Sequence, residues 1–166
     1  VSNLAQKGTL YIVATPIGNL SDISERAKGI LSSVDLIAAE DTRHTKRLLQ
    51  HLGINCRLLA LHEHNEDEKS ALVADRLAAG ESVALVSDAG TPLISDPGFP
   101  LVRDCHQRSI PVSPIPGSSA LIAALSASGL ATDEFHFIGF VPRKSNARRE
   151  VFSEKATASG TWLFYE

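Results

Sequence analysis

Only two cysteines, Cys56 and Cys105, occur in this chain. They lack metal-ligand spacing and are too few for a disulfide scaffold, so a reducing, cytoplasmic setting is expected. No apolar run approaches the ~20 residues that a membrane span requires, and no signal-peptide pattern opens the chain. Basic residues are not in excess. The formal net charge of −3 argues against the broad positive field of a typical nucleic-acid binder, while leaving room for a local basic stripe. Two common phosphate-cradling signatures are missing as well. Without G-x-G-x-x-G after the first strand-like run, or G-x-x-x-x-G-K-[ST] anywhere, neither a Rossmann dinucleotide site nor a P-loop is expected. Methionine is absent, position 1 included, and the sequence stops within the apolar run Thr161–Tyr165. Both features lead us to expect a fragment of a longer protein.

What is present is an alternation of strand and helix patterns. The 43% hydrophobic and 21% charged content is ordinary for a globular chain, and its length allows a real core. After a polar, frayed Val1–Gly8, the run Leu10–Ala14 predicts a first strand. A helix follows over Asp22–Val34, with Ile23, Ala27, Ile30, Leu31 and Val34 on one face and Asp22 with Glu25 resembling a capping pair. Strands are predicted at Asp35–Ala39, Arg57–Leu61, Ser82–Ser87 and Ile110–Ile115, the last broken by prolines and so placed near an edge. Helices are predicted at Asp41–Leu52, capped by Asp41 or Thr42, at Glu66–Ala79 and at Pro100–Arg108. Ser119–Ser128 is apolar nearly all round and reads as a buried helix. This order predicts an α/β fold, a mostly parallel sheet with helices on both faces. After Ala131 the pattern changes. Phe135–Val141 and Thr161–Tyr165 are aromatic-rich strand candidates around the basic stretch 143–149. We therefore expect an N-terminal α/β domain over 1–131 and the start of a second α/β domain over 132–166.

The chemistry gathers in loops that follow strands. Val83–Gly98 runs from a buried strand into a loop with two Asp, two Gly and two Pro, and open α/β sheets bind ligands at such carboxyl ends. Thr15–Asn19 and Pro116–Ala120 follow other strands. Carboxylates and exposed backbone suit a ligand with hydroxyls, amines or positive charge better than a pyrophosphate. S-adenosylmethionine, with its ribose, ammonium and sulfonium, fits.

Together, TPIGNL at 15–20, AAEDTR at 38–43, SDAGTPLISDPG at 87–98 and PGSSA at 116–120 resemble the tetrapyrrole-methylase class of methyltransferases. AAEDTRHTKRLL, HEHNE at 62–66 and the ending FYE are most similar to its branch that 2′-O-methylates a cytidine of 16S ribosomal RNA. The resemblance spans nearly all of Gly8–Glu166. It implies two α/β domains, a methyl donor held between them, homodimers, and roughly a hundred further residues outside this chain. By position it implies donor contacts at Pro16, at Asp88, Ala89, Gly90 and Thr91 with Ser95 nearby, and at Pro116, Ser118, Ser119 and Ala120. Members often carry Pro-Gly-Pro where this chain has Pro116-Gly117-Ser118, a change that keeps the glycine.

A ribose hydroxyl is a weak acid and benefits from a base in the transition state. Glu40 or Asp41, leaving the second strand toward the same crevice as Asp88, is the candidate base, and Arg43 is the candidate for substrate positioning. Asp41 serves equally well as a plain helix cap, and Asp88 as a turn former. His62, Glu63, His64 and Glu66 crowd the same edge, but no third ligand stands at useful spacing and no metal is expected. Arg143, Lys144, Arg148 and Arg149 are either an RNA contact or a solvated face. Methylation of a small tetrapyrrole-type molecule and a non-catalytic RNA-binding module are the competing readings.

Overall fold

The computed structural model describes residues 5–166. Five short parallel strands form one sheet: β1 (Leu10–Val13), β2 (Leu36–Ala39), β3 (Leu58–Ala60), β4 (Val83–Val86) and β5 (Val112–Ile115). Their spatial order is β3-β2-β4-β1-β5, every pairing parallel. The connecting helices are α1 (Glu25–Ser33), α2 (Thr42–Leu52), α3 (Glu66–Ala78) and α4 (Phe99–Gln107).

The two-residue period of the strands divides the core into two layers. Tyr11, Val13, Ile37, Ala39, Ala84 and Val86 point to one face, where Ala27, Ile30 and Leu31 of α1 and Leu49 of α2 cover them. Leu10, Leu36, Ala38, Val83 and Leu85 point to the other, against Val73, Ala74 and Leu77 of α3 and Leu101 and Cys105 of α4. Strands buried on both faces explain why β2 and β4 are uniformly apolar rather than alternating. Cys105 is a packing residue, its thiol pushed up to about 11 by burial, with the Asp104 charge adding.

This division fixes where loops diverge. The chain leaves β1 and β2 toward one face and β3 and β4 toward the other. Crevices therefore open at the carboxyl ends on both sides of β4 and between β2 and β3. The proline-bearing β5 is indeed an edge strand, and the exposed Pro114 lacks the donor that a central strand would need.

Local details differ from expectation. Helix α1 starts at Glu25, and the Ser24 hydroxyl, not Asp22, accepts the Ala27 amide. Asp22 ends a short 3-10 turn, Leu20–Asp22, capped by Asn19. The expected frayed tail is partly anchored: the Ala5 amide donates to Ser33 Oγ at 3.0 Å and the Gln6 amide to Tyr11 Oη at 2.8 Å. Residues 1–4 of that tail lie outside the described residues.

The chain divides into two compact units, Val1–Ser118 and Ser119–Glu166. The second contains α5 (Ala120–Ala127), β6 (Phe135–Phe140), α6 (Ser145–Lys155) and β7 (Thr161–Tyr165), with β6 and β7 paired in parallel. Helix α5 packs on β7 and so groups with this unit, whereas the sequence places it before the change of pattern. It is also largely exposed, with only Leu125 buried, where the sequence predicts a buried helix. Helix α6 lies in the basic stretch, where the sequence offers no helix signal: its first turn carries no acid and no side chain caps it.

Leu85 is 1% exposed at the centre of the second layer. Leu85→Ala is expected to cost about 2–5 kcal/mol of unfolding free energy, read from the urea midpoint; an unchanged midpoint would remove Leu85 from the core.

Candidate functional site

Three strand-end loops are tied together above β4. Thr15, just beyond β1, exchanges two backbone hydrogen bonds with Gly90: Thr15 N–H to Gly90 O at 2.8 Å and Gly90 N–H to Thr15 O at 3.0 Å. The buried Thr15 hydroxyl donates to Ser87 O at 3.2 Å. Thr91 Oγ1 donates to Ser118 O at 3.1 Å, fastening the loop after β5. Gly117 has no positive φ; it is needed for space, because a Cβ there would sit 2.9 Å from the Ala14 Cβ. Gly90, at φ +81°, is needed for its left-handed backbone.

On the other side of β4 the link is reciprocal. The Asp41 amide donates to Asp88 Oδ1 at 3.1 Å, and the Asp88 amide donates to Glu40 Oε2 at 3.3 Å. Each carboxylate thus orients the other loop's backbone. Beyond it lies a cavity of about 430 Å³, lined by Glu40, His62, Glu63, His64, Glu66, Ser95, Asp96 and Pro97. It fills the divergence between β2 and β3. Glu66, at the start of α3, accepts the Gly98 amide at 2.9 Å and so anchors the far end of the β4 loop. Within that loop Leu93 and Ser95 have φ of +71° and +67°. Left-handed backbone at non-glycine residues costs on the order of 1–3 kcal/mol each and concentrates at ligand sites.

The carboxylates differ sharply. Burial pushes Glu40 above the ordinary carboxylate value, and the charges of Asp96, Asp88 and Glu63 add to it, partly offset by the Asp88 amide. Asp96 is raised by burial too, with Asp88 adding and the Ser87 hydroxyl opposing. Asp41 is the opposite case. It caps α2 by accepting the Arg43 amide at 2.8 Å and also takes both Arg43 Nε and Nη2, at 3.1 and 2.8 Å. These bonds from Arg43 hold its carboxyl far below the usual range. Nδ1 of His62 is buried without a hydrogen-bond partner. Among the described residues no group of three or more His, Cys, Asp or Glu is placed to hold a metal ion.

The expected residues therefore gather unevenly. Pro16, Asp88, Ala89, Gly90, Thr91, Pro116 and Ser118 belong to the tied loops of the first unit, and Ser95 lines the acidic cavity with Glu40. Asp41 and Arg43 form an ion pair, the Arg43 side chain 88% exposed. Ser119 and Ala120 open α5 in the second unit. Sequence reasoning missed Asp96 as part of the acidic wall and Glu66 as an anchor. The Asp96-Pro97-Gly98 turn signature was visible, but nothing in it revealed burial.

The sequence over residues 9–166 matches the family of Tetrapyrrole (Corrin/Porphyrin) Methylases. The chain belongs to this family. It is 57% identical over 157 residues to a protein of Vibrio cholerae named ribosomal RNA small subunit methyltransferase I, covering 95% of this chain and 54% of that one. A protein of the same name from Pseudomonas aeruginosa is 58% identical over 159 residues, covering 96% and 56%. The chain thus spans little more than half the length of these relatives. Among solved structures it is similar to diphthine synthase, with TM-score 0.67 and 16% identity over 95% of this chain and 64% of that one. It is also similar to uroporphyrin-III C-methyltransferase from Thermus thermophilus complexed with S-adenyl homocysteine, with TM-score 0.58 and 19% identity over 81% and 60%. These two likenesses are of fold.

The raised Glu40 has a consequence for stability. An acid whose folded pKa lies above its unfolded value loses stability as pH rises through that interval. Gln keeps the acceptor for the Asp88 amide without the buried charge. Glu40→Gln should therefore be more thermostable than the wild type at pH 7, with the difference vanishing below the ordinary Glu range. Equal melting temperatures at both pH values would show that the cavity does not penalise the charge.

Proposed function

We propose that this chain supplies the donor-binding part of an S-adenosylmethionine-dependent methyltransferase of small-subunit ribosomal RNA, acting on the 2′-hydroxyl of a cytidine in 16S RNA. The interlock of the β1, β4 and β5 loops around Gly90 carries the reading. It builds a rigid rim at the carboxyl ends of β1 and β4, on the crevice where such sheets take ligands. The names of relatives above half identity favour an RNA acceptor over a tetrapyrrole, and AAEDTR with HEHNE point to the cytidine branch. The full-length protein would work as a cytoplasmic homodimer without a metal.

The residues fit the donor. Asp88 offers a carboxylate to a cationic ligand, and the glycines shape the rim: Gly117 makes room for Ala14, and Gly90 supplies the left-handed backbone at φ +81°. Pro16, Ala89, Thr91, Ser95, Pro116 and Ser118 complete the donor contacts that the first unit offers. When bound, S-adenosylmethionine supplies an electrophilic methyl on a good leaving group, so that positioning provides much of the acceleration.

Glu40 is the general base. Its Oε2 is engaged by the Asp88 amide, which leaves Oε1 to take the hydroxyl proton, and its upward shift brings it closer to the operating pH. We favour it over Asp41, because the amide and guanidinium of Arg43 occupy both Asp41 oxygens. Asp41 caps α2 and fixes Arg43, whose exposed guanidinium positions an acceptor phosphate.

Two variants of the full-length protein test this reading. Asp88→Ala orphans the Asp41 amide and removes the carboxylate, so donor affinity should fall by about 1–3 kcal/mol; calorimetry showing wild-type affinity would move the site elsewhere. Glu40→Gln should keep donor affinity and slow methylation of small ribosomal subunits by about 100- to 10,000-fold. A wild-type rate would end the case for Glu40 as base.

A further inference from the structure

The second unit has a feature that donor binding does not use. Its strands β6 and β7 are parallel, so their carboxyl ends lie together, and there Phe140, Val141, Pro142, Arg143, Arg148 and Glu166 line a cavity of about 440 Å³. Helix α6 faces β7 with the i, i+4, i+7 stripe Arg148, Phe152 and Lys155. Arg148 Nη1 lies 3.3 Å from Glu166 Oε1, Phe152 meets Phe164 edge-on at 5.4 Å, and Lys155 Nζ stands 4.6 Å over Trp162. That orientation leaves Arg143, Lys144 and Arg149 exposed, and none makes an ion pair among the described residues. Glu154 pairs with Lys155 Nζ at 2.6 Å, and neither Glu150 nor Glu154 pairs with these three cations among the described residues.

Cations crowding the start of a helix oppose its dipole, so stability alone does not explain them. Phe140 beside them is 62% exposed. An exposed ring next to unpaired cations combines a stacking surface with phosphate ligands, the pairing that single-stranded nucleic acid requires. The local charge acts despite a net charge of −3.

We propose that this edge of the second unit binds a single-stranded RNA segment, with Arg143, Lys144 and Arg149 on consecutive phosphates and a base stacked on Phe140. The proposal rests on the ribosomal RNA reading and adds a surface to it. The test uses the full-length protein and a short labelled single-stranded RNA, titrated at several salt concentrations, with S-adenosylhomocysteine affinity measured in parallel. Reversing all three cations to Glu should reduce the slope of log affinity against log salt by about 2, since each phosphate left without its cation accounts for about 0.7. Phe140→Leu should weaken binding about 5- to 150-fold with the slope unchanged. The three cations are exposed, and Leu keeps an apolar side chain where Phe140 meets Tyr165 at 5.5 Å, so a near-native melting temperature is expected in both variants.

Wild-type RNA affinity and slope in the triple variant would overturn the proposal, as would the absence of RNA binding by the wild type. If the triple variant keeps its RNA affinity but no longer associates with the small subunit, the proposal is overturned in favour of a protein-binding surface. Failure of the wild type to bind the donor would instead sink the methyltransferase reading and leave this surface standing.

Discussion

The exchange between the loops of β2 and β4 is the constraint on which the site depends. Two carboxylates, Glu40 and Asp88, each accept an amide from the other's loop. Carboxylates this close repel, and what offsets the repulsion is that both take charge-assisted bonds from backbone that would otherwise be unpaired. Removing either side chain therefore orphans an amide as well as deleting a charge. The same interlock aligns Asp88 with the Thr15–Gly90 bridge on the opposite side of β4, so the central strand carries both halves of the rim.

Desolvation then separates the carboxylates by role. Glu40 and Asp96 face a partly buried wall and are pushed up, while Asp41, at the solvent-facing start of α2 and paired with Arg43, is pushed down. Adjacent residues in sequence thus differ in basicity, which is what singles out Glu40 as the proposed proton acceptor. Such divergence between neighbouring groups marks acid–base assignments more reliably than residue type does.

The alternation of strands and helices was legible because the strands are short and mostly apolar and several are bounded by Pro or Asp, and the edge position of β5 followed from Pro114. The tied loops were legible as motifs, since their glycines and prolines advertise special backbone. The choice between Glu40 and Asp41 was not. It depends on burial and on the Arg43 fork, both set by how far each residue stands from the end of β2. The acidic wall was hidden for a related reason, because Glu40, Glu66 and Asp96 come from three loops brought together only by topology. Helix α6 escaped notice because its packing stripe includes Arg148, paired with Glu166, and Lys155, whose ammonium sits over Trp162, in place of apolar side chains.

An acidic cavity poses a problem for an RNA acceptor, since Glu40, Glu63, Glu66 and Asp96 repel a phosphodiester chain. A hydroxyl can enter such a wall, but the phosphates flanking it must be held by cations elsewhere. In the first unit Arg43 is the exposed cation at the end of β2, already oriented by Asp41. In the second, positive charge is concentrated at 143–149, where it opposes the helix dipole. Under the proposed reaction, the burial and acidic neighbours that raise Glu40 make it a stronger base toward a neutral hydroxyl, while affinity for the polyanion is drawn from the cations. Binding energy and proton transfer are then tuned by different residues, a division that a single site of mixed charge would not permit.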